Sequence, residues 1–116
     1  MTNLTLNGRI WLETTSGDVT ERFMGIGRLE LLGHIQRTGS INQAAKAMQM
    51  SYKRAWTLVH SMNQQADHDL VITQTGGEKG GGTLITAEGE KYLNHFQALQ
   101  ERFQQFLRDE ISRLPG

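Results

Sequence analysis

Apolar and polar residues alternate along residues 4–13, LTLNGRIWLE, with Leu4, Leu6, Ile10 and Leu12 at the apolar positions. A period of about two predicts a half-buried strand. TTSGD at 14–18 supplies turn chemistry, and VTERF at 19–23 can return as a second strand, with closure of a hairpin left open. From Arg28 the period lengthens. Ile26, Leu29, Leu32 and Ile35 recur every third residue and mark one side of a helix. Gly33 weakens that helix and leaves room for a close packing contact, and Gly39 ends it in a left-handed conformation.

The next stretch, SINQAAKAMQMSYKRAW, begins with Ser40 as a helix cap. Its hydroxyl can accept from the Gln43 amide while the Gln43 side chain reaches back, a capping box. Ala44, Ala45 and Met48 form the inner face, Gln49 and Met50 connect, and Ser51 caps a second helix running to about Gln64. In that helix Ala55, Leu58, Val59 and Met62 follow the spacing of a buried stripe. At about 100° per residue the opposite face carries Lys53, Thr57, His60 and Gln64, with Arg54 and Ser61 on one flank and Trp56 on the other. A short helix, a tight turn and a helix with a polar, cationic outer face read as a helix-turn-helix.

LVITQTGGEKGGGTLIT at 70–86 places β-branched segments on either side of a glycine-rich loop, a hairpin with an extended tip. Thr86 can then cap a last helix from Ala87 to about Arg113. In it Tyr92, Phe96, Leu99, Phe103 and Phe106 are spaced four, three, four and three, a heptad seam. The preferred reading is homodimerisation through this seam. The competing reading packs it on the first helix of the same subunit. The expected fold is therefore mainly α with a small β component, a winged helix-turn-helix with a long C-terminal dimerisation helix. Residues 1–116 form one domain, with a strand region at 1–25, helices at 28–64, the wing at 70–86 and the dimerisation helix at 87–114.

Charge sharpens this picture. The 12 basic and 12 acidic residues cancel, yet no acid occurs between Glu30 and Asp67, where Arg37, Lys46, Lys53 and Arg54 stand with two histidines. This distribution suggests one basic face containing the helix-turn-helix, the alternative being a solvated patch with no partner. In that geometry the second helix presents its N-terminal residues and outer face to a major groove. Lys53, Arg54, Thr57 and His60 are the candidates for base edges or nearby phosphates. Tyr52 admits two readings, a core ring or a hydroxyl on a phosphate, and Trp56 is read as packing at the helix edge. Ser40 and Ser51 act as caps alone or also offer hydroxyls and amides to phosphates. Lys79, Gly80 and Gly81 in the wing lie close to the minor groove in this reading, with Glu78 tempering their charge.

GRLELLGHIQRTGSINQAAKAMQMSYKRAW, followed by VHSMN and GGEKGGGTLITAEGE, resembles the DNA-binding domain of ModE-type molybdate-responsive regulators. More broadly it is similar to the LysR-type winged helix-turn-helix. The resemblance covers about residues 23–105. It implies double-stranded DNA as partner and transcription regulation, and the seam of the last helix adds the homodimer. Gln49 departs from the glycine usual in the turn, so a slightly altered turn is expected rather than a different fold. The oxyanion-binding domains of such regulators follow the DNA-binding domain, and this chain ends at Gly116. Molybdate sensing is therefore not carried over, and a short stand-alone member and a fragment of a longer regulator both fit. Any effector-binding protein would be a separate partner.

Rival functions have less behind them. GGEKGGGT lacks the order of a phosphate loop, and neither a Ser-His-acid set nor a carboxylate pair suggests catalysis, so no enzyme is expected. His60, Asp67, His68 and Asp69 are close in sequence but read as a polar loop, with no metal or other cofactor expected. A protein-interaction adaptor is the alternative to DNA binding. There is no cysteine, no signal-like start and no run near the roughly 18 apolar residues of a membrane span. The expected location is the cytoplasm.

Overall fold

Three helix starts are fixed by side-chain hydroxyls. In the computed structural model, which describes residues 3–74 and 82–115, Ser40, Ser51 and Thr86 accept from the amides of Gln43, Arg54 and Gly89 at 3.1, 3.0 and 3.0 Å. The Ser40 cap is half of the expected box. The Ser40 amide takes Thr38 Oγ1 at 3.3 Å as its acceptor instead of the Gln43 side chain, because Thr38 is already turned toward it by the Gly39 bend.

The chain runs β1 (Leu12–Ser16), β2 (Val19–Met24), α1 (Ile26–Thr38), α2 (Ile41–Ala47), α3 (Tyr52–Gln65), β3 (Val71–Gln74), β4 (Gly82–Ile85) and α4 (Ala87–Ile111). Two antiparallel hairpins, β1 with β2 and β3 with β4, flank the helices. This is the expected mainly helical fold with a small β component. The first strand differs from expectation. It occupies Leu12–Ser16, whereas the alternating residues before it form no strand. Leu4, Leu6 and Leu12 are exposed, so the alternation has no sheet face to bury. That segment instead reaches α4, where a Cβ on Gly8 would meet the Phe103 ring at 3.1 Å.

One apolar cluster joins Met24 of β2, Leu31, Leu32 and Ile35 of α1, Met62 of α3, Leu70, and Leu93 and Phe96 of α4. The period-three stripe in α1 is too narrow. Ile26 is 38% exposed, whereas Leu31 is fully buried, because α1 packs against both α2 and α4. Gly33 is buried, but a Cβ there would meet only the flexible end of Arg37, so it marks no close backbone approach. The close approach is at Gly89, packed against the Leu70 carbonyl.

The β1–β2 hairpin is tied to the helices by polar contacts. Arg28 Nη1 donates to the Arg22 carbonyl at 2.7 Å and to Ser61 Oγ at 3.1 Å. Gln65 Nε2 donates to the same carbonyl at 2.8 Å and to Ser61 Oγ at 2.9 Å. The hairpin is thus pinned to the C-terminal half of α3. At 25 residues α4 is about 37 Å long. The radius of gyration, 17.3 Å, exceeds the roughly 13 Å of a compact chain this size, consistent with an extended molecule. Among the described residues no helix is long and apolar enough to cross a membrane.

Candidate nucleic-acid interface

Small side chains let α2 and α3 come together. Ala44, Ala45 and Ala55 are buried, and Met48 packs on the core beside them. The turn closes with the Gln49 amide on the Lys46 carbonyl at 3.1 Å and the Met50 amide on the Ala45 carbonyl at 3.0 Å. To make it, Gln49 adopts φ 57°, the left-handed conformation usually given to glycine. The altered residue is accommodated in an otherwise regular helix-turn-helix. Left-handed geometry costs a side chain about 1–2 kcal/mol, and glycine loses part of that advantage through its unfolded-state freedom. Gln49→Gly is therefore expected to stabilise the fold by about 0.5–1 kcal/mol, read as a melting temperature a few degrees higher. A lower one would mean that the Gln49 side chain makes a contact the turn needs.

With Ala55, Leu58, Val59 and Met62 buried, α3 exposes Tyr52, Lys53, Arg54, Thr57, His60 and Gln64. Tyr52 is 53% exposed, which settles its ring as surface rather than core. Trp56 was expected to pack at the helix edge. It is 48% exposed and stacks on His60 with ring centroids 4.9 Å apart and planes 8° apart. One helical turn separates the two rings, so they meet on the exposed side of the helix.

The first turn of α3 holds Lys53 and Arg54 and no acid. Cations there oppose the helix dipole, whose positive end favours anions. Ordinary helix stability does not explain this placement. The Ser40 and Ser51 caps use oxygen lone pairs, so each hydroxyl hydrogen remains to donate outward. Ser40 and Tyr52 line one cleft of about 280 Å³ with Asn42, Thr73 and Thr83, where the starts of α2 and α3 face the wing. Arg54 stands apart from this group, in a second cleft beside Arg28.

The wing is held by its base. The Thr83 amide donates to the Gly39 carbonyl at 2.9 Å, and Asn63 Oδ1 accepts from the amides of Leu70 and Val71 at 2.8 and 3.2 Å. Asn63 Nδ2 returns a bond to the Val71 carbonyl at 2.9 Å. Asn63 therefore sets the angle between α3 and β3. The expected wing residues Lys79, Gly80 and Gly81 lie outside the described residues. Among the described residues no three histidine or carboxylate side chains converge as a metal site.

The expected seam on α4 divides. Phe96 is 1% exposed inside its own subunit, Tyr92 meets Phe23 edge-on with centroids 5.0 Å apart, and Leu99 packs on the same core. That half of the seam is occupied within the subunit, because β2 and α1 lie against it, so Phe96 is unavailable to a second copy. Phe103 is half-buried near Gly8, and Phe106 is 55% exposed.

Residues 26–90 match the family described as bacterial regulatory helix-turn-helix protein, lysR family. The chain is 42% identical over 80 residues to the molybdenum transport protein ModE of Azotobacter vinelandii, covering 69% of this chain and 30% of that protein. It is likewise 42% identical over 74 residues to the DNA-binding transcriptional dual regulator ModE of Escherichia coli, covering 64% and 28%. The same identity over 91 residues of the Haemophilus influenzae transcriptional regulator ModE covers 76% and 36%. The chain thus spans about a third of the length of these relatives. Among solved structures, a LysR family transcriptional regulator is similar with a TM-score of 0.55 at 16% identity, over 72% of this chain and 27% of that one. The Staphylococcus aureus MepR–DNA complex is similar with a TM-score of 0.55 at 20% identity, over 79% and 66%. At these identities the likeness shows the winged-helix fold.

Proposed function

We propose that this chain, which belongs to the lysR family of bacterial regulatory helix-turn-helix proteins, binds double-stranded DNA sequence-specifically and regulates transcription in the cytoplasm. The observation that carries this reading is the start of α3, where Lys53 stands exposed in an acid-free first turn beside the exposed Thr57 and His60. Lys53, Thr57 and His60 reach base edges in the major groove, and the cleft of Ser40 and Tyr52 takes a backbone phosphate. Its likeness to a DNA-binding transcriptional dual regulator supports the same reading.

A dimer reads two half-sites about one helical turn apart. Hydroxyl-radical footprinting on DNA upstream of the chain's own gene tests this. Two protected patches about 10 base pairs apart on one face are expected, and a single patch would refute the dimeric reading. The dimer contact falls to the distal half of α4, around the exposed Phe106. Phe106→Asp is expected to shift the sedimentation coefficient to that of a monomer and leave the melting curve of the fold nearly unchanged. An unaltered sedimentation profile would remove Phe106 from the interface.

A further inference from the structure

Four arginines meet at one cleft that the helix-turn-helix does not account for. A cavity of about 330 Å³ lies among the N-terminal segment, the start of α1, the helix-turn-helix turn and α3, and Arg9, Arg22, Arg28 and Arg54 all line it. Trp11 and Met48 contribute apolar walls. Among the described residues the one ion pair is Arg113 with Glu110 at 3.9 Å, so none of the four arginines has a carboxylate in contact. Arg28 is the half-buried member of the group. Burial first, then the charges of Arg22 and Arg54, lower its pKa, and Glu21 only partly offsets them. Glu13, the cross-strand neighbour of Arg22, accepts from Trp11 Nε1 at 2.8 Å and makes no ion pair with the cluster.

The cluster is also oriented. The Arg22 guanidinium lies 4.3 Å over the centre of the Trp11 ring. Arg28 Nη1 is committed to backbone carbonyls and Ser61, while its Nη2 and Nε have no acceptor among the described residues. The 13-residue helix α1 begins at the cleft with Gly25 as its cap, so no side chain takes its first amides. Like charges gathered without a contacting carboxylate repel one another, and a dianion placed among them relieves that repulsion.

We propose that this cleft is a phosphate site, in which Arg9, Arg22, Arg28 and Arg54 surround one phosphate group beside the Trp11 wall. Guanidinium forks match phosphate oxygens with paired hydrogen bonds. The cavity is larger than a bare phosphate, so it also accepts an organic body against its apolar walls. Two sources supply such a group, a free small phosphorylated molecule or the DNA backbone beside the groove. Arg54 joins the cleft to α3, so occupancy of either kind acts on the helix proposed to read DNA. The backbone source rests on that DNA-reading proposal, whereas the free-molecule source does not.

Trp11 reports on the site directly. In the full chain carrying Trp56→Phe it is the one remaining tryptophan, and inorganic phosphate and ribose 5-phosphate are titrated at fixed ionic strength while its emission is read. A free-phosphate site gives a saturable change that weakens at least about tenfold in the Arg9→Gln, Arg22→Gln double variant. A backbone-phosphate site gives no saturable change, but the double variant with Trp56 retained shows a DNA-binding salt slope shallower by about two. If the double variant does not fold, Arg9→Gln alone serves, since Arg9 lies outside any helix or strand. A response in neither titration nor salt slope overturns the proposal. Absence of DNA binding by the parent chain sinks the DNA reading alone, because the Trp11 titration needs no duplex.

Discussion

Gly89→Ala is expected to lower the melting temperature by about 12 °C, the largest effect of an added methyl among the described glycines. A Cβ at this position would run into the Leu70 carbonyl oxygen and lie 2.8 Å from Ile85 Cγ2. Backbone atoms cannot swing aside as the end of a side chain can. The Leu70 carbonyl is also fixed by the Thr86 amide at 2.9 Å, so moving it loosens the junction of wing and α4. Overpacking against such a wall costs about 3 kcal/mol. Gly27→Ala is the control, since nothing lies within 4 Å of a Cβ there and alanine favours a helix. It should leave the melting temperature equal or slightly higher. Equal melting of Gly89→Ala and the parent chain would show that α4 can shift away from Leu70 without penalty.

Removing the cations at the start of α3 should act on binding alone. Lys53→Ala is expected to weaken the preferred duplex by about 1–3 kcal/mol and to narrow its preference over random DNA. Arg54→Ala should weaken both duplexes alike and reduce the salt slope by about one, because this side chain faces the arginine cleft rather than the outer face. Neither should cost stability. Both residues oppose the dipole of α3, so their loss leaves thermal unfolding unchanged or raises stability by a few tenths of a kcal/mol. A clear fall in melting temperature for either variant would make the side chain structural.

The helical layout was legible in the sequence because it depends on local chemistry. Ser40, Ser51 and Thr86 cap their helices whatever surrounds them, and the stripe from Ala55 to Met62 is buried as its spacing requires. The helix-turn-helix is kept with Gln49 in place of the usual glycine, as expected. Misreadings came where long-range packing decides. Alternation looks the same whether or not a partner strand covers it, and here none pairs with residues 4–11. The heptad seam of α4 could not show that Phe96 is taken by its own subunit and Phe106 is left outside. Ser61 and Gln65, which tie β2 to α3, carry no local signal, and the meeting of Arg9, Arg22, Arg28 and Arg54 depends on the tertiary fold. Asn63 closes the VHSMN stretch, yet its grip on Leu70 and Val71 appears only in three dimensions.

The most direct test of DNA reading is fluorescence anisotropy with a duplex from upstream of the chain's own gene and a random duplex of equal length, each across a salt series. Tighter binding to the upstream duplex, with affinity on both falling steeply as salt rises, is the expected result. No binding to either duplex at low salt would contradict the assignment of α3 as a DNA-reading helix.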